Sequence, residues 1–385
     1  DQALLRYTRL FDRVRLSRAS LEVKPAEIER ALSKVPRKDL ATLRLAAKRI
    51  GAFHRRQVQK SWQYRDPLGM MLGQRITPLE RVGVYVPGGK ACYPSTVLMN
   101  AIPAQVAGVK EIIMTSPIGH DGAIILAAAH IAGVTRIFRV GGAQAVAALA
   151  FGTQTIPKVD KIVGPGNIFV ATAKRMVFGE VNIDSIAGPS EILILADDSA
   201  DPVHVAADML SQAEHDELAA ALCVTTSMAL ARRIQAASEN QLRSTKRHAI
   251  TLKSLAKYGA IVVARGAKEM VELANAIAPE HIELIIRQPG KLAKQIRNAG
   301  AMFLGPYSAP PLGDYLAGPN HVLPTGGSAR FFSPLGTYDF VKRTTMIQAE
   351  RRALRSLAPK LAQFARLEGL DDHARSVEAR FRNGY

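Results

Sequence analysis

Short β-branched segments alternate with alanine-rich, helix-forming segments through most of the chain, and this alternation limits its fold more than any other feature. The first series of predicted strands lies at 83–86, 111–115, 137–140 and 161–163. The second series lies at 192–196, 221–225, 261–264, 283–286 and 301–304. Strands separated by helices pair in parallel, so the pattern predicts an α/β protein with two doubly wound parallel sheets.

Both ends of the chain are predicted to be helical, the first over residues 1–65. Apolar residues recur at three- and four-residue spacing in 26–32 and 40–53, and Pro25 and Pro36 separate these segments. The tail from Lys342 onward is also predicted to be helical, but it has little apolar mass. We therefore expect the tail to pack on the core or on a partner subunit.

Composition argues against several classes of protein. The longest apolar stretches, such as 123–134 with His130 inside it, are shorter than the roughly 18 residues that span a bilayer, so no membrane protein is expected. The first residues include several arginines and no apolar core of a signal peptide. With only Cys92 and Cys223, a disulfide framework is not expected either. The sequence predicts a cytoplasmic protein.

A formal net charge of +18 leaves one rival class open. Lysine and arginine side chains that neutralise phosphates supply most non-specific affinity for nucleic acid, so a basic nucleic-acid-binding protein is the alternative. The basic residues are nevertheless spread over predicted helices, in stretches such as 34–56 and 342–355, with acids between them. This distribution favours a solvated basic surface.

Three glycine-rich turns follow predicted strands in the first series. They are VYVPGGK at 84–90, VGGAQ at 140–144 and VGPGN at 163–167. Ligands of parallel α/β sheets bind outside the carboxyl ends of the strands, and glycine lets the backbone approach a phosphate. None of the turns has the G-x-G-x-x-G spacing, so a dinucleotide site and tight structural turns remain alternatives.

Four polar residues in three parts of the chain form a candidate metal site that uses no cysteine. Gln212 and His215 are three residues apart, a spacing that puts both on one face of a helix. Asp314 lies in a loop rich in proline and glycine, and His373 lies in the tail. Surface or capping roles are the alternative for these residues.

Glu280 and His281 precede a predicted strand and follow Pro279. Adjacent residues at the start of a strand point to opposite faces unless the preceding turn redirects them, as Pro279 could do. A carboxylate and an imidazole held together in this way could serve as two proton acceptors. The alternative is a solvated acid beside a structural histidine.

Longer segments carry a family resemblance across nearly the whole chain. They are RVGVYVPGG from Arg81, YPSTVLMNA from Tyr93, GGAQAVAALAFGT from Gly141, VDKIVGPGN from Val159, DSIAGPSEILILAD from Asp184, SQAEHD from Ser211, APEHIEL from Ala278 and GDYLAGPNHVLPTGGSARF from Gly313. Together these segments resemble the histidinol dehydrogenase family. Because the chain starts at Asp1 rather than Met, the resemblance also implies a preceding N-terminal segment.

The resemblance implies a site shared between two subunits of a homodimer that exchange their tails. It implies one Zn²⁺ per subunit, held by Gln212, His215, Asp314 and, from the neighbouring subunit, His373. It further implies that Glu280 and His281 are the proton acceptors and that NAD contacts Tyr85, Gln144 and Asn167. The implied substrate contacts are Ser190, His281, Glu368 and the four metal ligands.

The implied fold has two incomplete Rossmann-like domains, one inserted in the other, with helical extensions at both ends. Residues 1–84 with 191–335 form the first domain, 85–190 the inserted NAD-binding domain, and 336–385 a helical tail. The implied reaction is the last step of histidine biosynthesis, the NAD-linked, four-electron oxidation of L-histidinol through L-histidinaldehyde to L-histidine, without nucleic acid or membrane as a partner.

Pro310 departs from the family pattern, which usually has glutamate four residues before the aspartate of the metal loop. A related dehydrogenase acting on another alcohol, such as a sulfonated diol, is therefore the alternative enzyme. The predicted zinc ligands and proton acceptors are unaffected by this departure.

Overall fold

The computed structural model describes residues 1–88, 92–118, 122–186 and 188–382. Gly89 and Lys90 of the first glycine-rich turn, and Ala187 of the segment that starts at Asp184, lie outside the described residues. The helices within the described ranges are α1 Gln2–Tyr7, α2 Arg18–Leu21, α3 Pro25–Lys34, α4 Arg37–Arg55, α5 Pro94–Ala107, α6 Ala123–Ile131, α7 Gly142–Phe151, α8 Ile168–Val177, α9 Pro202–Ala213, α10 Met228–Leu242, α11 His248–Tyr258, α12 Ala267–Ile277, α13 Pro289–Ala293, α14 Arg351–Leu367 and α15 Asp371–Arg382. The strands are β1 Trp62–Arg65, β2 Met71–Pro78, β3 Arg81–Tyr85, β4 Glu111–Thr115, β5 Arg136–Phe138, β6 Lys161–Val163, β7 Asn182–Ile183, β8 Glu191–Ala196, β9 Ala220–Thr225, β10 Gly259–Val263, β11 His281–Ile285, β12 Ala301–Leu304 and β13 Val341–Gln348.

The first series of predicted strands forms a parallel sheet, here called sheet I, with the strand order β5-β4-β3-β6-β7. Side chains alternate between the faces of a strand, and this sheet is covered on both. Val82 and Val84 of β3 enter one buried cluster, with α5 and α6, whereas Tyr85 enters another, with α7 and α8. The predicted α/β class is thus confirmed for this half of the chain.

The N-terminal helices pack on sheet I. Apolar residues of α4, including Leu43, Ala46 and Ile50, recur on one helix face and are buried with the α5 and α6 side of the sheet. Leu4 and Leu21 are buried with the opposite side. The apolar stripes of these helices match the faces of sheet I. The division into a first domain of 1–84 with 191–335 and an inserted domain of 85–190 stays a prediction.

The second series of predicted strands forms another parallel sheet, here called sheet II, with the order β10-β9-β8-β11-β12. Its central strand β8 contributes Ile192 and Ile194 to one cluster and Leu193 and Leu195 to another. Both sheets therefore have apolar residues on both faces, as helix-covered parallel strands require.

The segment that follows sheet II contains a π-helical turn at Leu312–Leu316 and is tied to the helices of sheet I. The buried Asn320 donates from Nδ2 to the Met99 carbonyl of α5 at 2.6 Å. Thr325 accepts the Gly188 N–H through Oγ1 at 2.6 Å. These bonds hold the loop that carries Asp314.

Contacts divide the chain into two compact units, residues 1–58 with 79–340 and residues 59–78 with 341–385. The second unit has an antiparallel sheet of order β1-β2-β13 and the helices α14 and α15. The prediction that the tail is helical from Lys342 is therefore wrong for 342–348, because these residues belong to β13, which pairs along its whole length with β2. The prediction of helix through residue 65 is also wrong at β1.

In the described part of the chain, no helix combines the length and apolar character needed to cross a membrane.

Candidate active site

The glycine-rich turns lie at the carboxyl ends of β3, β5 and β6, where a parallel sheet presents its ligand site. Pro117, just after β4, fills the space between the first two turns: a Cβ atom on Gly88 or on Gly141 would lie 2.7 or 2.8 Å from its Cγ. Glycine at both positions therefore lets the two turns close on the same proline ring.

Tyr85 connects the second and third turns. Its side chain is buried, and its hydroxyl accepts a hydrogen bond from the Gly142 N–H at 3.0 Å. The backbone of Gly164 lies close to the Tyr85 carbonyl oxygen, and a Cβ atom at Gly164 would be only 2.1 Å from that oxygen. The predicted NAD residue thus supports the backbone of both turns.

The other two predicted NAD residues lie on these turns. The Gln144 amide folds over Gly142, since a Cβ atom there would be 2.7 Å from its Oε1. Asn167 is exposed and caps α8, with Oδ1 accepting from the N–H groups of Phe169 and Val170 at 3.1 and 3.2 Å. The structure thus brings Tyr85, Gln144 and Asn167 to the same end of sheet I.

Glu280 and His281 lie at the amino end of β11, in sheet II. Ala278 ends α12 in the left-handed conformation, with φ of 53°, and Pro279 follows it. The turn brings the neighbouring side chains together, with His281 Nδ1 at 3.6 Å from Glu280 Oε2, and both residues are buried. The structure thus has the close approach of the two side chains, one of the two alternatives that the sequence left open.

Glu191, the first residue of β8, holds this pair in place. Glu280 Oε2 accepts the Glu191 N–H at 2.9 Å, and Glu191 Oε1 accepts the Glu280 N–H at 3.2 Å. His281 Nδ1 contacts the Glu191 carbonyl oxygen at 3.2 Å, and the Gly326 N–H donates to Glu191 Oε1 at 2.9 Å. Ser190, a predicted substrate contact, directly precedes Glu191 and is half-buried.

The charges of the pair depend on burial and on Asp314. Burial raises the pKa of Glu280 to about 7. Burial alone would lower the pKa of His281, but the Asp314 and Glu280 carboxylates outweigh it and raise that pKa. Asp314 Oδ1 lies 3.7 Å from His281 Nε2, and although burial opposes its ionisation, the histidines around it lower its pKa.

Three of the four predicted metal ligands lie in the first unit. Gln212 is buried near the end of α9, and its Nε2 has no hydrogen-bond partner among the described residues. His215 lies just after α9 at the surface, yet the surrounding protein desolvates the ring enough to lower its pKa, with Asp314 acting in the opposite direction. Among the described residues, no group of three or more His, Cys, Asp or Glu side chains is positioned to hold a metal ion.

The remaining predicted residues lie in the second unit. Glu368 follows α14, and His373 lies in the first turn of α15; both are exposed. They therefore belong to a different compact unit from Glu280, Gln212 and Asp314.

A cavity of about 500 Å³ opens beside His281 and Asp314. Its walls are mostly apolar and include Phe53, Phe303, Leu312, Leu335 and Tyr338. The volume is in the range of small-molecule sites, and the His281 and Asp314 side chains give the cavity a reactive end.

Glu191 and His321 are site residues that were not predicted from the sequence. His321 Nδ1 contacts the Asp314 carbonyl oxygen at 3.0 Å, and burial lowers the pKa of this ring. A charged residue opening an otherwise apolar strand was the available signal for Glu191. His321 had only its place in the GPNHVLP segment as a signal.

Comparison with known proteins assigns nearly the whole chain to one family. The family profile of histidinol dehydrogenase matches residues 1–381. The chain belongs to the histidinol dehydrogenase family. A histidinol dehydrogenase of Syntrophotalea carbinolica is 57% identical over 385 residues, which cover 100% of this chain and 89% of the relative. One of Geobacter metallireducens is 52% identical over 385 residues, with 99% and 88% covered.

A solved structure agrees with this membership. The histidinol dehydrogenase from Elizabethkingia anophelis superposes with a TM-score of 0.95 at 36% identity, covering 99% of this chain and 88% of that one. Histidinol dehydrogenases are NAD-dependent oxidoreductases that act on a small molecule, so the predicted family, enzyme class and use of NAD are confirmed. These relatives support neither nucleic-acid binding nor a sulfonated diol as substrate.

Proposed function

We propose that the protein oxidises L-histidinol through L-histidinaldehyde to L-histidine, passing two hydrides to two molecules of NAD. The observation that carries this proposal is the buried Glu280–His281 pair beside Asp314, at the end of a cavity of small-molecule size. The first oxidation removes a proton and a hydride from the alcohol. The second adds water to the aldehyde and removes a proton and a hydride from the resulting hydrate.

His281 is suited to take the proton of the alcohol. In the neutral ring, Nδ1–H donates to the Glu191 carbonyl oxygen, which leaves the lone pair on Nε2. Nε2 is buried without a hydrogen-bond partner among the described residues, and the His281 side chain lines the cavity. An acceptor held in this way can take a substrate hydroxyl proton.

Glu280 is suited to activate water in the second oxidation. A carboxyl group with a pKa of about 7 is partly ionised at neutral pH and accepts a proton more readily than an exposed glutamate. The Glu191 N–H fixes one of its oxygens, so the group keeps its orientation while it changes protonation state. Water and alcohol thus have separate proton acceptors.

A zinc site made of Gln212, His215, Asp314 and the tail residue His373 of a second subunit is part of this proposal. The donor chemistry fits: the pKa shifts favour a neutral His215 and an ionised Asp314, and Gln212 is buried with an unpartnered amide nitrogen. Zinc, when bound, supplies Lewis-acid and orienting chemistry to the imidazole and amino nitrogens of histidinol. Three of these ligands belong to one compact unit, and His373 of a second subunit would complete the four-ligand set.

The remaining assignments follow the same pattern. NAD binds at the glycine-rich turns with Tyr85, Gln144 and Asn167, and the substrate contacts Ser190 and Glu368 as well as His281 and the metal ligands. A homodimer is supported by the exposed apolar side chains that recur along and just after α14, a surface that a folded protein normally covers: Leu361, Phe364, Leu367 and Leu370. Cytoplasmic location stays a prediction.

Pro310 supplies the one argument for a second substrate. Pro310 lies four residues before Asp314 and is buried. It carries no charge, whereas the family usually has glutamate at this position. The test is the rate of NADH formation from L-histidinol compared with a sulfonated diol at equal concentration. We expect L-histidinol to be preferred, and a clear preference for the sulfonate would overturn the proposed substrate.

Removal of the metal should abolish oxidation of L-histidinol. A site without cysteine should lose its ion to a strong chelator, and more readily at acid pH, because His215 and His373 must be neutral to coordinate. Metal content and NADH formation should fall together and return together when Zn²⁺ is added. Full activity in protein shown to be metal-free would contradict the zinc assignment.

A further inference from the structure

The third glycine-rich turn is held by an ion pair that the reaction does not use. Lys174 lies on α8 and Asp184 follows β7, and their side chains are 3% and 5% exposed and in direct contact. Asp184 Oδ2 accepts the Gly164 N–H at 2.7 Å, and Lys174 Nζ donates to the Gly164 carbonyl oxygen at 3.1 Å. Both backbone polar groups of one glycine therefore bind the two ends of one buried ion pair.

Gly164 needs such support because its conformation is unusual. Its φ is +115°, a region open to glycine, and a side chain there would collide with the Tyr85 carbonyl oxygen. Three residues later, Asn167 caps α8, whose N-terminal N–H groups form the part of a helix that attracts phosphate. The backbone at Gly164 thus sets the direction in which the turn and the start of α8 face.

Stability alone is a weak reason for this arrangement. Desolvating two charges costs about as much as their attraction returns, so a buried ion pair contributes little net stability. Asp184 Oδ1 also accepts the Ser185 N–H at 2.7 Å, at the start of the segment that leads to Ser190 and Glu191. The pair thus fixes the backbone of the third turn and the start of the segment that leads to the catalytic residues.

We propose that the buried Lys174–Asp184 ion pair is a positioning device for the cofactor, which holds the 164–167 turn in the conformation that binds NAD. This inference rests on the assignment of the glycine-rich turns to NAD. Lys174 and Asp184 are positioning residues: their side chains are almost fully buried, and they act on NAD through the backbone of Gly164.

The test compares NAD affinity in matched variants, measured by calorimetric titration of the full-length, metal-loaded protein. Lys174→Met should weaken NAD binding and raise KM for NAD about tenfold or more, because it leaves the Gly164 carbonyl and Asp184 without their partner. KM for L-histidinol should stay near the wild-type value. The control is Lys161→Met, which breaks another ion pair of the first unit, between a buried lysine of β6 and Asp339 at 3.1 Å, instead of the pair that binds Gly164.

The double variant Lys174→Met/Asp184→Asn separates positioning from folding. It leaves no unpaired charge buried, so its melting temperature should recover relative to Lys174→Met, whereas NAD affinity should remain low because the Gly164 carbonyl still lacks its donor. Wild-type NAD affinity in Lys174→Met, an equal loss in Lys161→Met, or recovery of both properties in the double variant would overturn the positioning role. A wild-type protein that binds no NAD would overturn the proposed function as well.

Discussion

Ala278 shows how one backbone conformation can create a catalytic pair. It is one of two described residues other than glycine with positive φ, and it directly precedes Pro279 and the Glu280–His281 pair. Left-handed backbone is costly for alanine, and such strain often lies at functional sites. Here the turn brings two neighbouring side chains within 3.6 Å of each other, although adjacent strand residues normally point apart.

Glu280 and His281 should differ in which oxidation they support. Glu280→Gln removes the base that activates water, so oxidation of supplied L-histidinaldehyde should fall roughly a hundredfold or more, the usual effect of general-base catalysis. His281→Asn should instead slow the oxidation of the alcohol, and the defect should shrink at higher pH as hydroxide replaces the missing base. The measurement is the rate of each half-reaction, with melting temperature as the control. Equal losses in both half-reactions with a lowered melting temperature would show that the pair only stabilises the turn.

Pairing of β8 with β11 explains why part of the site could not be predicted. His281 lies opposite Ile192, which brings Glu191 to the catalytic pair from ninety positions earlier in the chain. Glu280 and His281 were candidates as neighbours at the start of a strand, and the family resemblance gave them their roles, whereas the strands could be predicted because their apolar runs are local signals. Glu191 depends on strand register, and the packing partner of the N-terminal helices could not be predicted because a helical stripe does not specify its partner.

Strand β11 also carries the buried carboxyl group of Glu283, which should make the stability of the protein depend on pH. Burial and the neighbouring Asp208 carboxyl group of α9 together raise the pKa of Glu283 to about 9. The folded protein therefore keeps a proton that the unfolded chain releases above its ordinary pKa, so stability should fall as pH rises toward 9.

Glu283→Gln should remove this dependence, because the amide takes up no proton on folding, so its stabilising effect should grow by up to about 1.4 kcal/mol for each pH unit between 5.5 and 8.5. Unfolding by denaturant at pH 5.5 and 8.5 measures the effect, with the exposed Glu272→Gln on α12 as the control. A pH dependence that is the same in Glu283→Gln and wild type would contradict this pKa.

The chain as a whole divides its predicted zinc ligands between two compact units. Gln212, His215 and Asp314 lie in one unit, and His373 lies in the other, on a tail whose helix α14 exposes apolar side chains. The early part of this tail was mispredicted because β13 depends on its partner β2, which is remote in sequence. Exchange of the tail between subunits is the arrangement that the proposal requires.

Mixed dimers test that exchange. His215→Ala and His373→Ala should each be inactive, but refolding the two together should restore about a quarter of the wild-type activity, because half of the dimers then have one intact site of two. Refolding His215→Ala with Gln212→Ala is the control and should restore nothing, since both ligands come from the same subunit. No recovery in the first mixture, with dimers shown to form, would rule out a shared site.

The stoichiometry of the reaction decides whether one active site performs both oxidations. With limiting L-histidinol and excess NAD, the amounts of NADH and L-histidine formed at completion should be measured together. We expect two NADH and one L-histidine for each L-histidinol consumed. One NADH per L-histidinol, with L-histidinaldehyde accumulating in place of L-histidine, would contradict the four-electron reaction.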